Sequence, residues 1–304
     1  MRHVISVHDF SAEAIIDILD RAESNLAVAR GEAVSDCLSG KILGSIFFEP
    51  STRTRLSFET AMNRLGGRVI GFAGTDATSV VKGETLADTI RMVSGYADAI
   101  VLRHPREGAA KLATEFSDVP IINAGDGAGQ HPTQTLLDLF TIRQEMGRLE
   151  GLNISLVGDL RYGRTVHSLA YALSKFGNTL NLVSPEGLEM PAEVVEHLEE
   201  SGQFGLACHN PEEVIATTDI LYVTRIQKER FPDPVEYKKV AGKYLIDPEL
   251  VSQGPDHMIV MHPLPRINEI TPDVDAMTQA KYFAQAFNGV PVRMALLAMV
   301  ISGV

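Results

Sequence analysis

The sequence predicts an α/β protein of two Rossmann-like, three-layer domains, each a parallel sheet with helices on both faces, joined by interdomain helices. Three observations carry this. Short apolar runs alternate with amphipathic stretches long enough for helices, the pattern of βαβ units. The pattern starts again near residue 153, and a chain of 304 residues exceeds one typical core. Each cluster of polar side chains suited to chemistry follows directly on one of the apolar runs, at the carboxyl end of an expected strand, where open α/β sheets bind ligands.

The elements follow in order. Residues 11–29 place Ala14, Ile15, Ile18, Leu19, Ala22 and Leu26 at helical spacing behind Ser11, a suitable N-cap. Strands are expected at 42–48, 68–72, 99–103 and 120–123, with helices over 85–96 and 108–116. The segment 132–145 reads as a helix bridging the domains. Strands at 153–158, 179–184, 206–209, 220–224 and 258–262 make the second sheet, with 192–200 among its helices. A last apolar helix, about 292–301, is expected to be buried and to return to the first domain. The expected division is 1–132 with 288–304, and 133–287.

Composition narrows the function. With 27 basic and 39 acidic residues the net charge is −12, which speaks against nucleic acid or an anionic membrane as partner. Arginines gathered in a few motifs are then local exceptions, suited to small anions. Cys37 and Cys208 form no CxxC or Cys/His cluster, so reduced thiols are expected, and with no ligand cluster in the sequence no metal; no cofactor is expected either. The N-terminal residues lack a signal-peptide pattern, and the apolar stretch 290–304 contains Arg293 and reads as too short to span a bilayer. A soluble, cytoplasmic protein is the expectation.

The most informative stretch joins the strand at 42–48 to a helix with Leu56, Ala61, Met62 and Leu65 on one side and Gly66-Gly67 at its end. Its first turn is Ser51-Thr52-Arg53-Thr54-Arg55. A helix N-terminus offers unpaired N–H groups and the positive end of a dipole; three hydroxyls and two guanidinium groups add donors shaped for phosphate. A plain N-cap followed by solvated arginines is the alternative for any one of these residues. Five consecutive donor residues without an acid are harder to read that way.

Other strand ends carry comparable groups. Arg103 closes the run at 99–103. His131-Pro132-x-Gln134 opens a helix, with His131 and Gln134 three residues apart on one face; a helix N-terminus favours a neutral imidazole there. The glycines at 125, 127 and 129 alternate without a Gly-Lys-Ser/Thr and are a weak nucleotide-loop match. Arg164 follows the strand at 153–158, in a segment that lacks the third glycine of a dinucleotide fingerprint. Arg225 and Gln227 follow the strand at 220–224. His262-Pro263-Leu264-Pro265-Arg266 ends the last one, its two prolines removing backbone donors.

Together these motifs resemble those of the aspartate and ornithine carbamoyltransferases. Ser-Thr-Arg-Thr-Arg at 51–55 is similar to the family's carbamoyl-phosphate signature, Ser79-x-x-Lys82-Gly-Glu to the family's Ser-x-x-Lys-Gly-Glu loop, and His131-Pro-x-Gln134-x-Leu-x-Asp138 to its carbonyl-binding element. The resemblance implies that Ser51, Thr52, Arg53, Thr54, Arg103, His131, Gln134, Pro263 and Leu264 bind carbamoyl phosphate. It implies that Ser79 and Lys82 act in a neighbouring subunit's site, and hence a homotrimer with shared active sites; in some members separate regulatory chains join a larger assembly. Lys82, Arg164, Thr165, Arg225 and Gln227 are implied to hold the amino acid, and Glu49, Arg164 and Arg230 to form a latch between closed domains.

Within the family, the residue after His262 is proline where ornithine enzymes place cysteine, and the second domain's motifs are rich in arginine. Both favour a dicarboxylic acceptor. The implied reaction is carbamoyl transfer from carbamoyl phosphate to L-aspartate, the entry to pyrimidine synthesis, with Arg53, Thr54, Lys82, Arg103 and His131 as the catalytic set. An ornithine acceptor, an inactive assembly partner and a nucleotide-binding dehydrogenase are the competing readings.

Overall fold

A computed structural model describes residues 2–76, 78–127, 129–226 and 244–303. The chain divides into two compact units, Met1–Phe140 with Phe287–Val304, and Thr141–Ala286.

The first unit opens with helices α1 (Ala12–Ser24) and α2 (Leu26–Arg30), broken at Asn25 within the single helix expected from the sequence. Ser11 caps α1 by accepting from the Ala14 N–H. Then come β1 (Ile42–Phe47), α3 (Thr52–Arg64), β2 (Arg68–Ala73), a 3-10 turn (Ser79–Lys82), α4 (Leu86–Ser94), β3 (Ala99–His104), α5 (Ala109–Ala113) and β4 (Ile121–Asp126). The strands pair in parallel in the order β2-β1-β3-β4.

This order dictates where a ligand belongs. The chain leaves β1 toward β2, then reverses and builds outward through β3 to β4. Right-handed crossovers therefore put α3 on one face and α4 and α5 on the other; accordingly α4 packs on α5, and α2 on α3. Phe58, Ala61 and Met62 of α3 are buried, as are Ile90 and Val93 of α4 and Ala110 and Ala113 of α5, which pack with Ile46, Ile100 and Leu102. Between β1 and β3 the two crossovers diverge, leaving a crevice at the strands' carboxyl ends. Phe47 and Arg103 are register partners at that point.

Helix α6 (Pro132–Met146) carries the division between the units. The second unit contains β5 (Asn153–Val157), α7 (Arg164–Ser174), β6 (Thr179–Val183), α8 (Ala192–Glu200), β7 (Phe204–Cys208), β8 (Ile220–Val223), α9 (Pro248–Val251) and β9 (Ile259–Met261). Its sheet is also parallel, in the order β7-β6-β5-β8-β9, so the reversal falls between β5 and β8. Gly158 lies at that reversal with φ +122°, and a Cβ there would meet the Thr224 carbonyl oxygen at 2.4 Å. Only glycine permits that backbone conformation and that approach.

The last helix, α10 (Tyr282–Ile301), corrects one expectation. It begins ten residues earlier than the sequence pattern indicated (282 against 292) and runs through Pro291. Proline reads as a helix start because it lacks the N–H an interior position needs. Burial of Val290, Val292, Met294, Ala295, Leu296 and Leu297 outweighs that loss. At 20 residues and a mean hydropathy of 1.4 the helix is long and apolar enough to cross a membrane, contrary to the expectation that this stretch is too short, but most of it is buried as a core helix.

Candidate active site

In the first unit the residues 51–55 form the start of α3 at the carboxyl end of β1. Ser51 is the N-cap of α3 in extended conformation, and its hydroxyl makes no capping bond, unlike Ser11, Thr78 and Thr85 at the starts of their helices. The first-turn amides of α3 thus meet no side-chain cap from Ser51. Arg53 is exposed, and partial burial followed by the charge of Arg103 pulls its guanidinium below its ordinary value. Two cations that feel each other across a crevice are stabilised by an anion between them.

Arg103 is fixed from two sides. Its Nη1 donates to the Ala124 carbonyl at 3.1 Å, and its Nε lies 2.7 Å from Glu49 Oε1. That Nε–H is not aligned on an acceptor, so the contact with Glu49 is an ion pair more than a hydrogen bond. Glu49, implied by the resemblance as an interdomain latch, has Arg103 as its partner here.

Arg55 departs from the donor set. It pairs with Glu59 at 2.7 Å, and Ser45 Oγ donates to the same carboxylate oxygen at 3.1 Å. Successive helix residues are separated by about 100°, so Arg53 and Arg55 lie on opposite sides of α3. Thr54, between them, is buried, and its Oγ1 is 3.5 Å from His131 Nε2.

His131 is held by a polar loop. Asn123 donates to the Ile5 carbonyl, to Asp126 and to the Gln130 carbonyl, while Asp126 accepts from the Gly108 and Gln130 amides. Buried His131 follows, and its carbonyl accepts the Gln134 N–H at 2.9 Å in the first turn of α6. Among residues 131–140 only Gln134 is not buried. Its Nε2 donates to Asp138 at 2.9 Å. Ser79 and Lys82 stand exposed on the 3-10 turn, which Gly83 closes at φ +94°.

In the second unit Arg164 opens α7 directly after the Gly158 approach, followed by Thr165, and Arg225 follows β8. Both arginines therefore belong to the carboxyl ends of β5 and β8, the second reversal point. Asp159 is buried and accepts from the Tyr162 amide at 2.9 Å, shaping the turn that presents Arg164. Gln227 and Arg230 lie outside the described residues.

The Pro263-Leu264 corner is constrained. Leu264 has φ +54°, a region a leucine rarely adopts. Its N–H donates to His262 Nδ1 at 2.7 Å. Nδ1 must then be bare, so the proton sits on Nε2, which donates to Glu269 Oε1 at 2.8 Å. Burial pushes the Glu269 carboxyl up, but the His262 bond and backbone amides, including that of Ile267, outweigh it and hold the group below its ordinary value. Arg266 anchors the far side, bonded to Asp275 and, at 3.1 Å, to the Tyr282 hydroxyl. Burial and the bond to Asp275 raise that hydroxyl to about 12. Glu269, Asp275 and Tyr282 were not found from the sequence; a glutamate seven residues past a histidine has no periodic signature.

Two carboxyl-end crevices, one with Arg53 and Arg103 and one with Arg164 and Arg225, define a protein that handles small anions on paired parallel sheets. Residues 2–144 match the family model described as the aspartate/ornithine carbamoyltransferase carbamoyl-P binding domain, and residues 150–300 match its Asp/Orn binding domain. The chain belongs to the aspartate/ornithine carbamoyltransferase family.

Among its relatives, the aspartate carbamoyltransferase catalytic subunit of Methanococcoides burtonii is 60% identical, over 98% of this chain and 97% of its own length. That of Archaeoglobus fulgidus is 60% identical over 99% of each. Among solved structures, the catalytic subunit of M. jannaschii aspartate transcarbamoylase superposes with a TM-score of 0.94 at 55% identity, covering 100% of this chain and 99% of that one. The Trypanosoma cruzi aspartate transcarbamoylase in complex with carbamoyl phosphate and aspartate gives 0.93 at 40%, covering 99% and 96%.

Proposed function

We propose that this chain transfers the carbamoyl group of carbamoyl phosphate to the amine of L-aspartate, giving N-carbamoyl-L-aspartate and phosphate, a step of pyrimidine biosynthesis. The observation that carries the reading is the placement of Arg53 and Arg103 at the carboxyl ends of β1 and β3, where the first sheet reverses, beside the 3.5 Å approach of Thr54 to His131.

In this reading Ser51, Thr52, Arg53 and Thr54, with the first-turn amides of α3, hold the phosphate and stabilise it as it leaves. Thr54, Arg103 and His131 donate toward the carbamoyl oxygen, where negative charge builds as the carbon becomes tetrahedral. The carbamoyl NH2 needs acceptors. Gln134 and the carbonyls of Pro263 and Leu264 provide them; among the described residues neither carbonyl receives a hydrogen bond. The constrained Leu264 backbone supports such a role, because strain of that kind persists where surroundings impose it. The departing phosphate takes the proton of the attacking amine.

Arg164, Thr165, Arg225 and Gln227 hold the aspartate carboxylates, and the chemistry needs no metal or cofactor. The first unit is then the carbamoyl-phosphate domain, the second the aspartate domain. The exposed Ser79 and Lys82 suit a homotrimer in which each completes a neighbour's site. On closure Glu49 would turn from Arg103 to Arg164 and Arg230. The relatives' designation as catalytic subunits suits a regulatory partner chain, and the acidic surface a cytoplasmic setting.

The test supplies the purified chain with carbamoyl phosphate and either L-aspartate or L-ornithine. Phosphate release matched by N-carbamoyl-L-aspartate is expected with the first and not the second. Turnover with ornithine alone would reverse the assignment of the acceptor.

A further inference from the structure

The Gln134 amide can face the crevice with either end, and the two ends have opposite consequences. Presented as an acceptor it matches an NH2; presented as a donor it opposes one. The surroundings decide between them. Gln134 Nε2 donates to Asp138 Oδ1 one helical turn on, at 2.9 Å, and Asp138 is fully buried. An ionised carboxylate only accepts, so the nitrogen is committed to it and Oε1 is turned away.

A buried cation from a distant part of the chain feels the charge of Asp138. Arg293, 2% exposed, donates from Nη2 to Thr133 Oγ1 at 3.2 Å and stacks over Phe58 at 5.0 Å. Burial drops the guanidinium to about 9, an effect countered by the charge of Asp138, so it remains protonated at neutral pH. Space for it is reserved at Gly289, where a Cβ would lie 2.1 Å from Nη1. Burying an acid and a cation is a costly way to stabilise a fold, which directs attention to what the two orient.

We propose that Asp138 and Arg293 are positioning residues that lock the Gln134 amide oxygen toward the carbamoyl site, making the site select an acyl phosphate that carries NH2. Acetyl phosphate, with CH3 in its place, leaves Oε1 without a donor. The inference rests on the carbamoyl-phosphate reading of this unit.

The test measures KM for carbamoyl phosphate and Ki for acetyl phosphate in the full chain, with inorganic phosphate inhibition as an internal reference. In Asp138→Asn the ratio of the two constants should shrink by roughly tenfold or more, because an asparagine accepts either end of the glutamine. Phosphate inhibition should stay within about twofold, since the trap residues are untouched. The double variant Asp138→Asn, Arg293→Met leaves no orphan buried charge, and it should show the same loss of selectivity if the single variant fails to fold. Gln134→Met should lose selectivity alone, and adding Asp138→Asn to it should change the ratio no further.

A wild-type ratio preserved in the folded Asp138 variants overturns the inference while leaving the carbamoyl-phosphate reading intact. A wild-type chain that releases no phosphate from carbamoyl phosphate and aspartate overturns that reading instead.

Discussion

Glu49 Oε1 lies 2.7 Å from Arg103 Nε, so the cation near the end of β3 is paired with an acid from the loop that leads into α3. Removing the acid charge by Glu49→Gln leaves the crevice more positive. Inorganic phosphate should then inhibit roughly 3–10-fold more strongly at low salt, an effect that fades as salt screens it. Turnover should fall at the same time, because Arg103 loses a contact that orients it. Inhibition constants unchanged across a salt series would show that Glu49 does not tune the anion site.

The 3.5 Å contact between Thr54 Oγ1 and His131 Nε2 brings two donors for one oxygen together. His131→Asn shortens the reach of that donor and should lower kcat by about 10²–10³ with little change in phosphate inhibition. Equal losses in kcat and in phosphate binding would place His131 in the phosphate trap instead.

Glu269 predicts a pH effect in the second unit. Its folded-state value is below the ordinary 4.5, so its stabilisation is fully present above that pH and is lost as pH falls through the folded value. Glu269→Gln puts an NH2 against either the His262 donor on one oxygen or the Ile267 and Asn268 amides on the other. It should cost about 1–3 kcal/mol near neutrality, with the deficit shrinking as pH falls below the ordinary 4.5 and through the lower folded value. Urea midpoints of both proteins across that range measure it; a deficit independent of pH would mean that the carboxylate charge is not what His262 reads.

Ser79 and Lys82 stand on an exposed turn, and the shared-site reading gives them work in another subunit. Lys82→Ala and Arg53→Ala should each be nearly inactive. Mixed after dissociation and reassembly, they should regain a fraction of wild-type activity, because hybrid trimers contain sites with both residues intact. Strict absence of recovery in verified hybrids would confine each site to one chain.

Much of this was legible in the sequence because strand ends are marked by where apolar runs stop. Ser51 to Thr54, Arg103, Arg164 and Arg225 were all placed by that rule. Strand order was not legible, since parallel strands give no local signal of which neighbour they pair with; yet the reversals beside β1 and β5 are what make those ends crevices. Arg55 was misread as a phosphate donor because spacing in sequence hid its opposite side of α3 and its partner Glu59. The Arg293 contact with Thr133 spans 160 residues, and the Glu269 support of His262 depends on a backbone turn at Leu264, so neither has a periodic signature.

The central claim, that Arg53 and Arg103 act on one bound anion, is tested most directly by calorimetric titration of carbamoyl phosphate into the wild-type chain, Arg53→Ala, Arg103→Ala and the double variant. Each single substitution should weaken binding by roughly tenfold or more, with a coupling between them above the ~0.5 kcal/mol expected of independent sites. Wild-type affinity in either single variant, or losses that simply add, would contradict it.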